Sequence, residues 1–137
     1  MNSKIETADN LADQFRIILK TPFSELRENI AGEFVKIISV SDWVQIAFIR
    51  FDDDTSVGIE VEVSLPSSLC CDSHSNPSAQ MSLLEGMMTH IIYIKNLLEL
   101  GFKLSVIKED CLWVASYLTS KDPSLEVFEA LVPPTVN

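Results

Sequence analysis

Apolar residues recur along the chain with two spacings, and each spacing predicts a type of element. Between residues 7 and 20 they stand three or four positions apart, which is typical of one buried face of an α-helix. Residues 22–31 predict a second, short helix that Thr21 can cap. The chain therefore begins with two helices.

Two further helices are predicted in the second half of the chain. The longer runs from Pro77 to Leu100, because proline suits the first helical position and Gly101 suits the end. The shorter is a closing helix that Asp122 can cap, with Pro123 behind it.

Strand-like runs fill the space between the helices. A first group covers residues 33–41, 42–51 and 55–65, and the third of these alternates apolar and polar side chains in the manner of a half-exposed strand. A second group is a hairpin over residues 101–118 that turns at residues 108–110. Short connections make neighbouring strands within each group antiparallel.

The element order is therefore α-α-β-β-β-α-β-β-α. This order predicts an α+β fold with a mainly antiparallel five-stranded sheet and helices packed on it. A length of 137 residues predicts a single domain over residues 1–137, with a mobile loop at 66–77 and a tail at 133–137.

The net charge of the chain limits the classes of partner that it is expected to bind. The chain is acidic, with a formal net charge of −10, which argues against binding nucleic acid or an anionic membrane. From its pattern we expect neither a membrane span nor a leader segment at its start. Three cysteines, an odd number, do not form a disulfide framework, so we expect a reducing, cytoplasmic location.

Two segments have more apolar surface than one sheet–helix contact requires. Residues 111–118 are apolar on both faces, and the long helix has an apolar arc about twice as wide as the roughly 100° that a surface helix needs. Either the other helices cover this excess within one subunit, or a homodimer does. The predicted partner or dimer interface consists of Leu84, Met87, Met88, Ile91, Ile94, Leu98 and Trp113.

The sequence patterns that could indicate a metal site or a catalytic site are weak. The acidic run at residues 51–56 is typical of a solvated turn, and Cys70, Cys71 and His74 lack a second ligand pair at zinc-site spacing. His90 is interpreted as a packed histidine with a satisfied ring. We therefore predict no catalytic residue, no metal, no cofactor and no enzymatic activity.

The segment LLELGFKLSVIKEDCLWVASYLTSKDPSLEVFEAL resembles class I type III secretion chaperones and the related YbjN-like proteins in its pattern of elements. A long helix ends in glycine, a hairpin turns on acidic residues, and an apolar strand leads to a short final helix. The resemblance implies a homodimer with the long helix near its two-fold axis. It also implies apolar patches that bind an extended segment of a partner protein, without ATP.

The leading hypothesis is thus a non-enzymatic, protein-binding chaperone or adaptor that acts as a homodimer. A first alternative is an acidic immunity or antitoxin-like inhibitor of a basic partner. A second is a small-ligand-binding domain that uses the loop at 66–77 with Trp43 or Trp113.

Overall fold

The helices and strands follow the predicted order. The computed structural model of the chain describes residues 3–29, 34–51, 56–65, 77–107 and 112–134. Its helices are α1 (Ser3–Lys20), α2 (Phe23–Asn29), α3 (Pro77–Glu99) and α4 (Leu125–Leu131). Its strands are β1 (Phe34–Ser39), β2 (Val44–Arg50), β3 (Val57–Ser64), β4 (Lys103–Ile107) and β5 (Leu112–Thr119). The predicted α+β fold is confirmed.

The five strands form one antiparallel sheet in the order β1-β2-β3-β5-β4. The two strand groups are joined by β3 and β5, which pair in register from Val57 opposite Thr119 to Ser64 opposite Leu112. Strands β1 and β4 are the sheet edges, and β2, β3 and β5 lie inside the sheet.

The helices α1, α3 and α4 pack on one face of this sheet. Helix α1 contacts β2 and β3, α3 contacts β5, and α4 contacts both α1 and α3. The core lies between these layers, where Phe15 of α1 meets Phe48 of β2 and Phe128 of α4 edge to face, with ring centroids 5.7 and 5.6 Å apart. Edge-to-face contact is a favoured geometry for aromatic pairs.

A buried arginine fixes the end of α1 to the sheet. Arg50 of β2 is 6% exposed, and its Nη1 donates to the carbonyl oxygens of Ile18, Leu19 and Thr21 at 2.7, 3.0 and 3.3 Å. The last carbonyls of a helix have no intrahelical donor, and they carry the negative end of its dipole. The Arg50 guanidinium therefore supplies hydrogen-bond donors to these carbonyls and a positive charge at the negative end of the helix dipole.

Helix α3 begins and ends close to the predicted residues. It starts at Pro77, and after Glu99 the chain turns through Gly101, whose φ of 105° is unfavourable for residues with a side chain. The amide of Phe102 then donates to the carbonyl of Leu97 at 3.1 Å, so the helix end is closed by backbone hydrogen bonds.

Two predicted helix caps are wrong. The hydroxyl of Thr21 donates to the carbonyl of Ile17 in α1 instead of capping α2. Asp122 accepts a hydrogen bond from Arg16 Nε at 2.7 Å, and Ser124 occupies the capping position of α4 without a side-chain hydrogen bond. In both cases the helix begins later than predicted, at Phe23 and at Leu125, so the predicted residue does not occupy the capping position.

Several predictions fall on residues outside the described ranges. These are the hairpin turn at 108–110, residues 52–55 of the acidic run at 51–56, residues 66–76 of the loop at 66–77, with Cys70, Cys71 and His74, and residues 135–137 of the tail. Among the helices of the described ranges, none has the length and apolarity needed to cross a membrane.

Candidate interaction surfaces

One face of α3 anchors the helix in the core. His90, Tyr93, Ile94 and Leu97 are at most 5% exposed. The Tyr93 hydroxyl donates to the carbonyl of Leu131 at 2.7 Å, and its ring meets Trp43 edge to face at 5.4 Å. These contacts tie α3 to α4 and to the beginning of β2, so α3 presents a fixed opposite face.

That opposite face is also apolar. Six large side chains on it are between 40% and 59% exposed, and we call them the outer stripe: Met81, Leu84, Met88, Ile91, Ile92 and Leu98. At about 100° per residue they fall within an arc of about 120°, opposite the buried face. Lys95 lies near the middle of the arc by the same count, and Glu99, at the end of the helix, also lies within it. A surface helix normally turns polar residues outward, so this face is unusual.

The apolar surface continues onto the edge strand β4. Leu104 and Val106 pair with Ala115 and Trp113 of β5, so they point to the helix side of the sheet. Even so, Leu104 is 39% and Val106 48% exposed. The helix layer therefore stops short of β4 and leaves this edge of the helix side open.

The predicted interface residues divide between surface and core. Leu84, Met88, Ile91 and Leu98 belong to the outer stripe. Met87 is half-buried, and Trp113 is half-buried against the core. Ile94 is 4% exposed and belongs to the core, so an outer interface does not include it. The sequence count could not distinguish the inner from the outer arc because both are apolar.

The second surface is the face of the sheet that points away from α1, α3 and α4, which we call the outer sheet face. It carries Val35 and Ile37 on β1, Gln45, Ala47 and Ile49 on β2, Gly58, Glu60 and Glu62 on β3, Leu112, Val114, Ser116 and Leu118 on β5, and Lys103 and Ser105 on β4. Ile37 is 60% and Leu118 62% exposed. Two carboxylates on the middle strand thus lie between two apolar flanks.

One end of the outer sheet face holds a cavity of about 470 Å³. Its apolar walls include Ile49, Phe51 and Leu118, and its polar side includes Glu60 and Lys103. Gly58 forms part of its lining, and a Cβ atom there would stand 3.3 Å from Phe51 Cε2. The missing side chain lets the Phe51 ring lie against the strand and shape one wall.

His90 is only partly satisfied. Its ring stacks on Trp43 with centroids 4.0 Å apart, and Nδ1 is 2.5 Å from the carbonyl oxygen of Gly86, to which it donates. Its Nε2 is buried and has no hydrogen-bond partner in the described part of the chain. The packed position of His90 agrees with the interpretation from the sequence. The predicted satisfied ring does not agree with the structure, because Nε2 lacks a partner among the described residues.

No group of three or more His, Cys, Asp or Glu side chains within the described residues is arranged to hold a metal ion. Neither Arg50 nor the outer sheet face as a whole was predicted from the sequence. The signals were present: an arginine inside the apolar run that ends β2, and a strand β5 that is apolar on both faces.

No protein-family model matches the chain, and neither the curated proteins nor the solved structures include one that is significantly similar to it.

Proposed function

We propose that the protein is a non-enzymatic protein-binding module, a chaperone or adaptor, that works as a homodimer joined through the outer stripe of α3. The observation that carries the proposal is the exposure of six large apolar side chains on the side of α3 that faces away from the core. Monomeric proteins rarely expose large contiguous apolar patches, and such patches commonly mark interaction sites.

A second copy of the chain suits this surface because the outer stripe is nearly symmetric about the turn of His90. An antiparallel pair of α3 helices centred there would bring Met88 of one copy near Ile91 of the other. The same register would bring Lys95, within the stripe, near Glu85 at its margin. A two-fold contact places each surface against itself, so a stripe with paired opposite charges is self-complementary.

Leu104 and Val106 extend the proposed interface. They lie on the open edge of the helix side, beyond the helix layer. Obligate dimer interfaces are more apolar than ordinary surface, and this composition supports a stable contact. The pattern resemblance to type III secretion chaperones points the same way, toward a dimer that leaves other apolar patches for a partner polypeptide.

An acidic inhibitor of a basic partner is the second candidate. It is favoured by the net charge of −10 and by Glu60 and Glu62 at the centre of the outer sheet face. Under this alternative, attraction between opposite charges supplies most of the affinity, which then falls steeply with salt. The chaperone role relies chiefly on apolar burial, which salt screens little, so its affinity should fall less steeply with salt.

The test of the dimer is a double substitution, Met88→Glu with Ile91→Glu, studied by analytical ultracentrifugation. Both side chains are exposed in the subunit, so the variant should fold and sediment as a monomer, whereas the wild-type protein sediments as a dimer. Ile17→Glu is the matched control, because Ile17 is 58% exposed on α1 and lies outside the stripe. If Ile17→Glu dissociates the dimer and the double variant does not, the proposed interface is wrong.

A further inference from the structure

The outer sheet face has apolar flanks with acidic residues between them. Ile37, Ala47 and Ile49 lie on the β1–β2 side, and Val114 and Leu118 lie on β5. Between them, β3 carries Glu60 and Glu62, both half-buried. Carboxylates that are partly withdrawn from water gain most when a cation approaches them, because the surrounding dielectric is lower.

Neither carboxylate has an ionic partner within the described ranges. Within those ranges Arg16 forms salt bridges with Asp13 and Asp122, on the helix side of the molecule. Lys103 lines the same cavity as Glu60. However, it lies across Ser116 of β5, two strands away, at about 10 Å from Glu60 by strand spacing. The acidic centre of the face is therefore available to a cation from outside.

A second copy of the chain does not suit this face. A two-fold contact through the middle of the sheet would bring β3 of one subunit near β3 of the other. The four carboxylates of Glu60 and Glu62 would then approach one another as the interface excluded water. Like charges placed together at an interface oppose association. The outer stripe of α3 carries charges of both signs and has no such obstacle.

We propose that the outer sheet face binds a cationic amphipathic segment of the partner protein, which deepens the proposed function and rests on it. The cavity beside Phe51 and Leu118 takes a large apolar side chain of that segment. Glu60 and Glu62 receive two basic side chains. The carboxylates are two residues apart on one strand, about 7 Å, which matches basic residues four positions apart on a helix.

The test uses a synthetic helical peptide of leucine and lysine, with leucines on one face and lysines four residues apart, labelled for fluorescence anisotropy. The companion peptide has glutamate in place of every lysine. We expect the wild-type protein to bind the lysine peptide and not the glutamate peptide. Equal binding of both would mean apolar contact alone and would overturn the proposal, and so would the absence of binding.

Substitutions then locate the site. Glu60→Gln with Glu62→Gln should weaken binding of the lysine peptide about tenfold, the scale that two partly exposed ion pairs give. Leu118→Ser should weaken it by a similar factor. Glu6→Gln with Glu126→Gln removes the same charge from α1 and α4, where both residues are exposed, and should leave the affinity within about twofold. Equal losses in the two charge variants would show general attraction by net charge and would overturn the proposed site.

The oligomeric state separates this inference from the proposed function. If the wild-type protein is a dimer that Met88→Glu with Ile91→Glu dissociates, the proposed homodimer stands even where the peptide fails to bind. If Leu118→Ser dissociates the dimer instead, the outer sheet face is an interface between copies, and the present inference is wrong. If the wild-type protein is a monomer, the homodimer proposal fails regardless of the peptide result.

Discussion

The outer stripe of α3 and the outer sheet face are both apolar and exposed, yet they differ in charge. The stripe has Lys95 in its middle and Glu85 at its margin, whereas the sheet face has Glu60 and Glu62 at its centre. A surface on which opposite charges can pair suits its own copy, whereas a surface with like charges at its centre repels its copy there. In our proposal, the exposed apolar area of each surface requires a partner, and the charge of the surface selects that partner.

The largest effect should come from making the outer sheet face self-complementary. Glu60→Val with Glu62→Val removes the central carboxylates and leaves a continuous apolar face, so we expect association beyond the dimer at micromolar concentration. Light scattering measures this association. Glu6→Ala with Glu126→Ala gives the same change in net charge on helix surfaces and should remain monodisperse. If both variants associate alike, net charge rather than position keeps the wild-type protein dispersed.

A second prediction compares the inner and outer faces of α3 itself. Leu97 is fully buried, so Leu97→Ala should lower the free energy of unfolding by about 2–5 kcal/mol. Leu84 is 55% exposed, and Leu84→Ala should change it by less than about 0.5 kcal/mol. Both changes in the free energy of unfolding are measured by urea unfolding in the Met88→Glu, Ile91→Glu background. The protein is expected to be a monomer there, so dimer dissociation does not contribute. Equal losses would mean that the outer stripe is packed within the subunit.

The third prediction concerns Tyr93, which anchors the inner face. Burial raises the pKa of the Tyr93 hydroxyl above its usual value near 10. The neutral hydroxyl is favoured in the folded state. Its contribution to stability is therefore complete below pH about 10, and it is lost at about 1.4 kcal/mol per pH unit above that.

Tyr93→Phe tests this contribution in urea unfolding followed across alkaline pH. The variant leaves the Leu131 carbonyl without its donor, so its absolute stability falls and only the slope with pH is informative. The slope above pH about 10 should be shallower than in the wild-type protein. An unchanged slope would show that Tyr93 ionises in the folded protein without cost.

The smallest effect tests the helix register in the proposed dimer. Lys95→Glu should weaken the dimer about fivefold, because the new carboxylate would face Glu85 of the other copy, and Glu85→Lys should do the same. The combined swap should restore the dissociation constant to within about twofold, as measured by sedimentation equilibrium. If the swap weakens the dimer as much as the two single changes together, these residues do not meet.

The fold was largely predictable because local signals were consistent. Period-two alternation marked β3, and Pro77 and Gly101 marked the limits of α3. The strand order was not predictable, because the antiparallel pairing of β3 with β5 joins segments that are separated in the sequence by α3 and β4. No residue pattern within either strand identifies the strand with which it pairs.

The surfaces were predictable in kind but not in position. Counting residues around α3 revealed an excess of apolar side chains, and Leu84, Met88, Ile91 and Leu98 do lie outward. Ile94 lies in the core because α3 is rotated by contacts that the helix sequence does not contain, chiefly Trp43 with His90 and Tyr93. The orientation of a helix that is apolar nearly all round depends on its neighbours.

Sedimentation equilibrium of the wild-type protein over the micromolar range tests the central claim most directly, which is that the outer stripe of α3 is buried against a second copy. A mass twice that of the 15.3 kDa chain, falling to the single-chain mass in Met88→Glu with Ile91→Glu, is the result we predict. A wild-type mass of one chain throughout that range would contradict it.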